Sequence, residues 1–223
     1  MDQARFDEIL RAQPVWDTEL PSFDPDRVPS APLPLFHDWF AAAAEAGQAE
    51  PHTMTLATVD AEGRPDARVV ILHGADEHGW HFATHATSAK GRQLAAAPDA
   101  ALCFYWPAQG RQIRVRGTVV SGTPEEAYED LHVRSTGALA AALVGRQSEV
   151  LDSLPALTRA SEAAWERAQE EPETSAETWT VYALTATEAE FFQGDARRRH
   201  VRLRYRRAAD GDGVGWVREL LWP

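Results

Sequence analysis

Alternation of apolar and polar residues dominates the chain from residue 53 onward. "TMTLATVD", the turn "AEGRP" and "DARVVILH" predict a β-hairpin. "ADEHG" then turns the chain into a strand, "WHFAT", and "AALCFYW" and "RQIRVRGTVVSG" predict two more. The last of these alternates strictly, with Ile113, Val115 and Gly117 on one face and Arg114, Arg116 and Thr118 on the other. Helical spacing appears before and between the strands. "DQARFDEILRA" and "LFHDWFAAAAEAG" flank a Pro- and Asp-rich connector, and "SAKGRQLAAAP" predicts a short helix starting at Ser88. "TPEEAYEDLHVR" carries a capping box, Thr123 with Glu126, and helical stretches follow near 137–145 and 155–170. The end returns to strands in "TWTVYALTATEAEFFQG", "RHVRLRYRR" and "GWVRELLWP". Short strands interrupted by helices predict a mainly β, α+β fold, an antiparallel barrel with helices around it. Residues 1–33 read as an N-terminal arm and connector. Residues 34–223 read as one domain, with a helical insertion around 123–170.

Composition narrows the class. The chain has 223 residues, 44% hydrophobic and 25% charged, with eight Trp and eight Phe, enough large apolar groups to fill a core. Asp2, Arg5, Asp7 and Glu8 interrupt the first segment and no apolar targeting stretch follows, so the expected location is cytoplasmic. No apolar run approaches the ~20 residues that cross a bilayer, so no membrane association is expected. The single cysteine, Cys103, excludes an internal disulfide and a Cys-based zinc site. The histidines show no His-Glu-x-x-His spacing, and no metal is expected. "GDGVG" at 211–215 has no helix behind it and is not a phosphate loop. Trp80, Trp106, Trp216 and Trp222 read as core or interface aromatics.

Charge is distributed unevenly. Formal net charge is -12, yet "RRRHVRLRYRR" (residues 197–207) holds seven arginines and no acid. Lys90 is the only lysine beside 21 arginines. In a strand, Val201, Leu203 and Tyr205 of the basic segment share a face, so an apolar back against a core is expected. Arg198, His200, Arg202, Arg204 and Arg206 share the other face. A nucleic-acid role is disfavoured, because the surrounding acids repel a polyanion and no recognition motif is present. Surface pairing with acids suits Arg204, Arg206 and Arg207, whereas Arg198, His200 and Arg202 form a compact cationic group suited to a small anion or substrate.

That segment, with "LATVDAEGRPDARVVIL", "FATHATSAKGRQL", "RQIRVRGT", "GRQSE" and "EFFQGDARRRHVRLRY…W…LLWP", resembles the pyridoxamine 5'-phosphate oxidase family of FMN-dependent flavoproteins. The resemblance runs from about residue 34 to the C-terminus. It implies an FMN-binding split barrel and a homodimer with shared active sites. It places Arg68 and Lys90 on the flavin phosphate, and Val69, Val70, Ile71, Leu72, Ala83 and Thr84 along the cofactor. Gln112, Gln147 and Ser148 are implied flavin contacts, with Phe192 and Arg202 reaching it from the partner subunit. Arg198 and His200 are the implied catalytic pair over the substrate, with His200 the candidate for proton handling.

The chain also departs from the family pattern. Ala89 replaces a second phosphate-binding arginine, and Phe192 replaces a tryptophan. The substrate-phosphate positions, Lys, Tyr, Arg and Ser in the family, are His73, Asp130, Arg134 and Ala138 here. The implied activity is hydride transfer from a small heterocycle, nominally pyridoxine or pyridoxamine 5'-phosphate, to the flavin with O2 as acceptor. The alternatives are a reduced, carboxylated phenazine-like heterocycle, whose oxidases "FATHATSAKGR" and "FYW" resemble more closely, and a non-catalytic flavin-binding protein.

Overall fold

In the computed structural model, residues 1–16, 19–208 and 215–223 are described, so most of the "GDGVG" segment lies outside the described residues. Six helices appear among them: α1 (Gln3–Arg11), α2 (Pro32–Glu45), α3 (Ala89–Ala96), α4 (Pro124–His132), α5 (Thr136–Val144) and α6 (Leu154–Glu170). The strands are β1 (Thr53–Val59), β2 (Pro65–Ile71), β3 (Gly74–Asp76), β4 (Gly79–His85), β5 (Asp99–Trp106), β6 (Arg111–Ser121), β7 (Trp179–Gln193), β8 (Val201–Arg207) and β9 (Trp216–Leu221). Side-chain caps mark every α-helix start but that of α2. Ser88, Ser135 and Ser153 each accept a backbone N–H at the start of α3, α5 and α6. At α4 both halves of the capping box form, Glu126 N to Thr123 Oγ1 at 3.2 Å and Thr123 N to Glu126 Oε2 at 2.7 Å.

The chain divides into two compact units. One comprises Met1–Pro51, Tyr105–Ile113 and Glu190–Pro223; the other comprises His52–Phe104 and Arg114–Ala189. Strand neighbours run β2-β1-β5-β6-β7-β4-β3, and β8 pairs with β7 and β9. The β1–β2 hairpin sets Leu56 opposite Arg68 and Met54 opposite Val70 in an antiparallel register.

The core of the second unit is aliphatic and aromatic, with Leu56, Phe82, Leu102, Phe104, Val115 and Leu184 fully buried. A satellite cluster of Leu131, Leu139, Ala140, Ala142 and Ala168 joins α4, α5 and α6. The core of the first unit is built from rings. Trp39 meets Phe191 edge-on at 5.2 Å and Phe23 at 4.9 Å, and Phe191 meets Tyr205 at 5.7 Å. The buried Arg111 guanidinium lies 4.2 Å over Trp39, and burial brings its pKa down to about 10.

Two local features differ from the sequence expectation. Gly74 and the first two residues of "ADEHG" form a short strand, β3, because three residues are too few to show alternation while pairing with β4 still holds them extended. The basic strand begins at Val201, not before it. Arg198 has φ +63, a left-handed conformation, so it does not continue the alternating face shared by His200 and Arg202. From Val201 the expected apolar back is present, with Leu203 and Tyr205 buried.

Gly117 shows how tightly β6 lies on its neighbour, since a Cβ there would overlap the Thr185 carbonyl. Gly117→Ala is expected to destabilise the fold by about 1–3 kcal/mol, read as a lower denaturant midpoint at unchanged slope.

Candidate functional site

Within the second unit, the hairpin and the start of α3 gather two cations. Arg68, on β2, donates to Thr58 Oγ1 at 2.5 Å, Asp66 Oδ2 at 2.6 Å and Gln93 Oε1 at 2.9 Å. Lys90, in the first turn of α3, donates to Gln147 Oε1 at 2.9 Å and Thr84 Oγ1 at 3.2 Å. The Thr84 hydroxyl also donates to Gln147 at 2.8 Å, and the Ala89 backbone N–H donates to Ser148 Oγ at 3.1 Å. Ser148 sits at φ +75, so its backbone is strained where its side chain meets the helix start. Burial lowers the Lys90 pKa, and the positive Arg68 lowers it further against the opposing pull of Asp66. The fold thus holds two like charges together beside a helix N-terminus, an arrangement that an anion relieves.

Five of the sequence-assigned flavin residues meet here: Arg68, Thr84, Lys90, Gln147 and Ser148. The apolar ones divide by strand face. Val69 and Ile71 are 68% and 47% exposed on β2, which stands at the end of the strand order, while Val70 and Leu72 are half-buried. Ala83 is half-buried on β4.

The same unit brings His73, Asp130 and Arg134 together. The Asp130 carboxylate accepts from His73 Nδ1 at 2.9 Å, Arg134 Nη2 at 3.0 Å, Arg134 Nε at 3.2 Å and Trp179 Nε1 at 3.1 Å. Burial would push this carboxyl up, but donors from His73, Arg134 and Trp179 outweigh it and hold Asp130 well below the usual carboxylate range. Trp179 was not anticipated, since nothing local in the sequence links it to a residue 49 positions away. Ala138 is half-buried on α5 and offers no polar side chain.

In the first unit, the turn before β8 is organised by Asp195. Its Oδ1 accepts from the backbone N–H of Arg197 at 2.7 Å and of Arg199 at 3.3 Å, and its carbonyl accepts from Arg198 N at 2.9 Å. Its own N–H donates to His200 Nδ1 at 3.1 Å. The His200 ring meets Trp16 edge-on at 5.2 Å and Phe192 at 5.1 Å. Gly194 leaves room for Trp16, because a Cβ there would come within 2.8 Å of its ring. Neither Trp16 nor Asp195 was singled out from sequence, although a Gly-Asp pair before a basic run is an Asx-turn signal. Arg202 donates through Nε to the buried Glu190 at 2.8 Å and through Nη1 to the Trp222 carbonyl at 2.9 Å. Gln112 is half-buried on β6.

The remaining arginines largely follow the surface reading. Arg204 and Arg206 pair with Glu219 at 2.6 Å and 3.6 Å, and Arg207 lies 4.4 Å over the Trp216 ring. Trp80 and Trp106 are buried, whereas Trp222 is 92% exposed.

Comparison with known proteins matches residues 40–168 to the family model for pyridoxamine 5'-phosphate oxidase. The chain belongs to the pyridoxamine 5'-phosphate oxidase family. Residues 179–223 match the model for the pyridoxine 5'-phosphate oxidase C-terminal dimerisation region. A pyridoxine/pyridoxamine 5'-phosphate oxidase of Pseudomonas fluorescens (strain Pf0-1) is 42% identical over 199 residues, 88% of this chain and 91% of the relative. One from Pseudomonas putida (strain W619) is 43% identical over 202 residues, with the same coverage. Among solved structures, PhzG from Burkholderia lata 383, in complex with tetrahydrophenazine-1-carboxylic acid, aligns with TM-score 0.84 at 30% identity, covering 94% of this chain and all of that one. A pyridoxamine 5'-phosphate oxidase-related, FMN binding protein of Nostoc punctiforme aligns with TM-score 0.65 at 20% identity, covering 84% and 97%, and shares the fold. As a pyridoxamine 5'-phosphate oxidase family member, the chain is an FMN-dependent oxidoreductase of the split-barrel fold class. No helix among the described residues is long and apolar enough to cross a membrane.

Asp130 gives a pH prediction. A carboxyl held low in the folded state adds stability above its unfolded pKa, about 3.9, and loses it as pH falls toward the folded value. Asp130→Asn should therefore flatten the fall in unfolding free energy below about pH 4, measured by denaturant titration at a series of pH values.

Proposed function

We propose that this chain is an oxidase of a small heterocycle, with FMN held by Arg68, Lys90 and the α3 start at its phosphate. The observation that carries the cofactor site is the Arg68–Lys90 pair, two neighbouring cations whose mutual repulsion a phosphate dianion removes. Thr84, Gln147 and Ser148 fix the lysine and the helix start, and Ala89 offers no side-chain donor, its backbone N–H being taken by Ser148. Val69 and Ile71 offer an exposed apolar strip suited to cover by the cofactor and a second copy of the chain. Val70, Leu72, Ala83, Gln112, Phe192 and Arg202 complete the proposed flavin contacts, the last two contributed by the partner copy in a homodimer with shared sites. When bound, FMN supplies the two-electron chemistry, accepting a hydride from a substrate carbon and passing the electrons to O2. Arg198 and His200 hold the substrate.

Two substrate readings stand. The names of the curated relatives make pyridoxine or pyridoxamine 5'-phosphate the nominal substrate. Asp130 weighs against the first, whereas the second, a reduced and carboxylated heterocycle such as the ligand of the PhzG structure, has no phosphate to place there. The Arg134 and His73 groups that face Asp130 are already engaged by its carboxylate, so a phosphate dianion arriving there would meet like charge. Anaerobic bleaching of the flavin by a panel of pyridoxamine phosphate, pyridoxine phosphate and dihydrophenazine carboxylates separates them. Bleaching by the carboxylates at far lower concentration supports the second reading, and micromolar bleaching by pyridoxamine phosphate returns the first. A carrier would bleach with none and reoxidise slowly after photoreduction.

Lys90→Met is expected to weaken FMN binding about tenfold to a hundredfold, the worth of one charged hydrogen bond, measured by flavin fluorescence. Wild-type affinity should also fall as pH rises through the lowered Lys90 pKa, below the ordinary 10.5, while the variant shows no such step.

A further inference from the structure

We propose that His200 serves as a fixed hydrogen-bond donor through Nε2, with its Nδ1 lone pair occupied by the backbone of Asp195. This rests on the reading above that His200 faces the substrate, and it gives the residue a task other than proton abstraction. A backbone N–H only donates, so the Asp195 N–H at 3.1 Å requires Nδ1 to accept. The neutral ring must then carry its proton on Nε2. Rotating the ring by half a turn would set a C–H against the Asp195 N–H and leave that half-buried amide without its partner.

Three further features hold the arrangement. Asp195 is itself fixed by three backbone N–H groups, those of Arg197, Arg198 and Arg199. The ring lies between Trp16 and Phe192, at 76° to the first and 41° to the second, so it is gripped on more than one side. The glycine at 194 admits Trp16, and the left-handed Arg198 lets the turn close on Asp195.

The consequence is chemical. A base needs a free lone pair on the nitrogen that faces the substrate, and in this tautomer Nε2 has none. Nε2 has no protein partner among the described residues, and the half-buried ring leaves it reachable. The Arg198 side chain likewise has no protein partner among the described residues. The two together present an imidazole N–H and a guanidinium to an electronegative atom of the substrate, a carboxylate or ring oxygen. A pre-oriented donor pair of this kind holds the substrate in one orientation, with its reacting carbon placed for hydride loss.

The test reads the tautomer directly. FMN-loaded protein labelled with 15N-histidine is examined at a pH where the ring is neutral, with His200 assigned through coupling across the Asp195 N–H···Nδ1 bond. The expected result is an imine-type Nδ1 and a protonated Nε2; a proton on Nδ1, or an equal mixture, overturns the proposal. Activity supplies a second arm. Glutamine can place an N–H near the Nε2 position but cannot act as a base. His200→Ala should lower kcat about a hundredfold, as for a misplaced substrate, and His200→Gln should recover at least about tenfold of that. Glutamine as slow as alanine in a folded, flavin-bound variant also overturns it. If the wild type bleaches with no heterocycle in the panel, the functional reading falls while the tautomer is still read from the resonances.

Discussion

A cation that leaves water must find an acceptor or repel its neighbours, and much of this fold is arranged around that requirement. Arg68 is met by Thr58, Asp66 and Gln93, Arg134 by Asp130, Arg202 by Glu190, and Arg111 by Gln193 and the face of Trp39. These pairings account for the contrast between an acidic chain and its concentrated arginines. Where a cation has a second cation beside it, as Lys90 has Arg68, the surroundings suit the external anion proposed there. Where it is matched internally, as at Asp130, the same chemistry turns an anion away.

That distinction separates two sites which look alike in composition. Both combine a basic side chain with polar partners on short elements. One has two positive groups beside a helix N-terminus. The other has a carboxylate with four donor contacts at 2.9–3.2 Å. The family relationship accounts for the cofactor, while the proposed substrate positions are ones at which the family pattern has changed.

Much of the fold was legible because its signals are local. The strict alternation of β6, the capping box of α4, the serine at the start of α3 and the apolar back of the basic strand each depend on residues a few positions apart. Flavin contacts were assigned by resemblance alone, and of those residues Arg68, Thr84, Lys90, Gln147 and Ser148 come together. The left-handed turn at Arg198 was not, because an arginine there gives no sign of positive φ and the cause is Asp195 gathering the following amides. The ring of Trp16 on His200 was equally invisible, since it joins residues 184 positions apart and depends on a missing Cβ at Gly194. Asp130 was legible as a departure, but its union with Trp179 was not.

The solitary lysine has a practical consequence. Because 21 of the 22 basic Lys and Arg residues are arginines, an amine-directed reagent meets a single side-chain target in the entire chain. Burial and Arg68 lower its pKa and so favour the neutral amine that such reagents need, and it stands where the cofactor phosphate is proposed to lie. Acylation at Lys90, counted against the α-amino group as an internal standard, would turn this protein into a gauge of its own flavin occupancy.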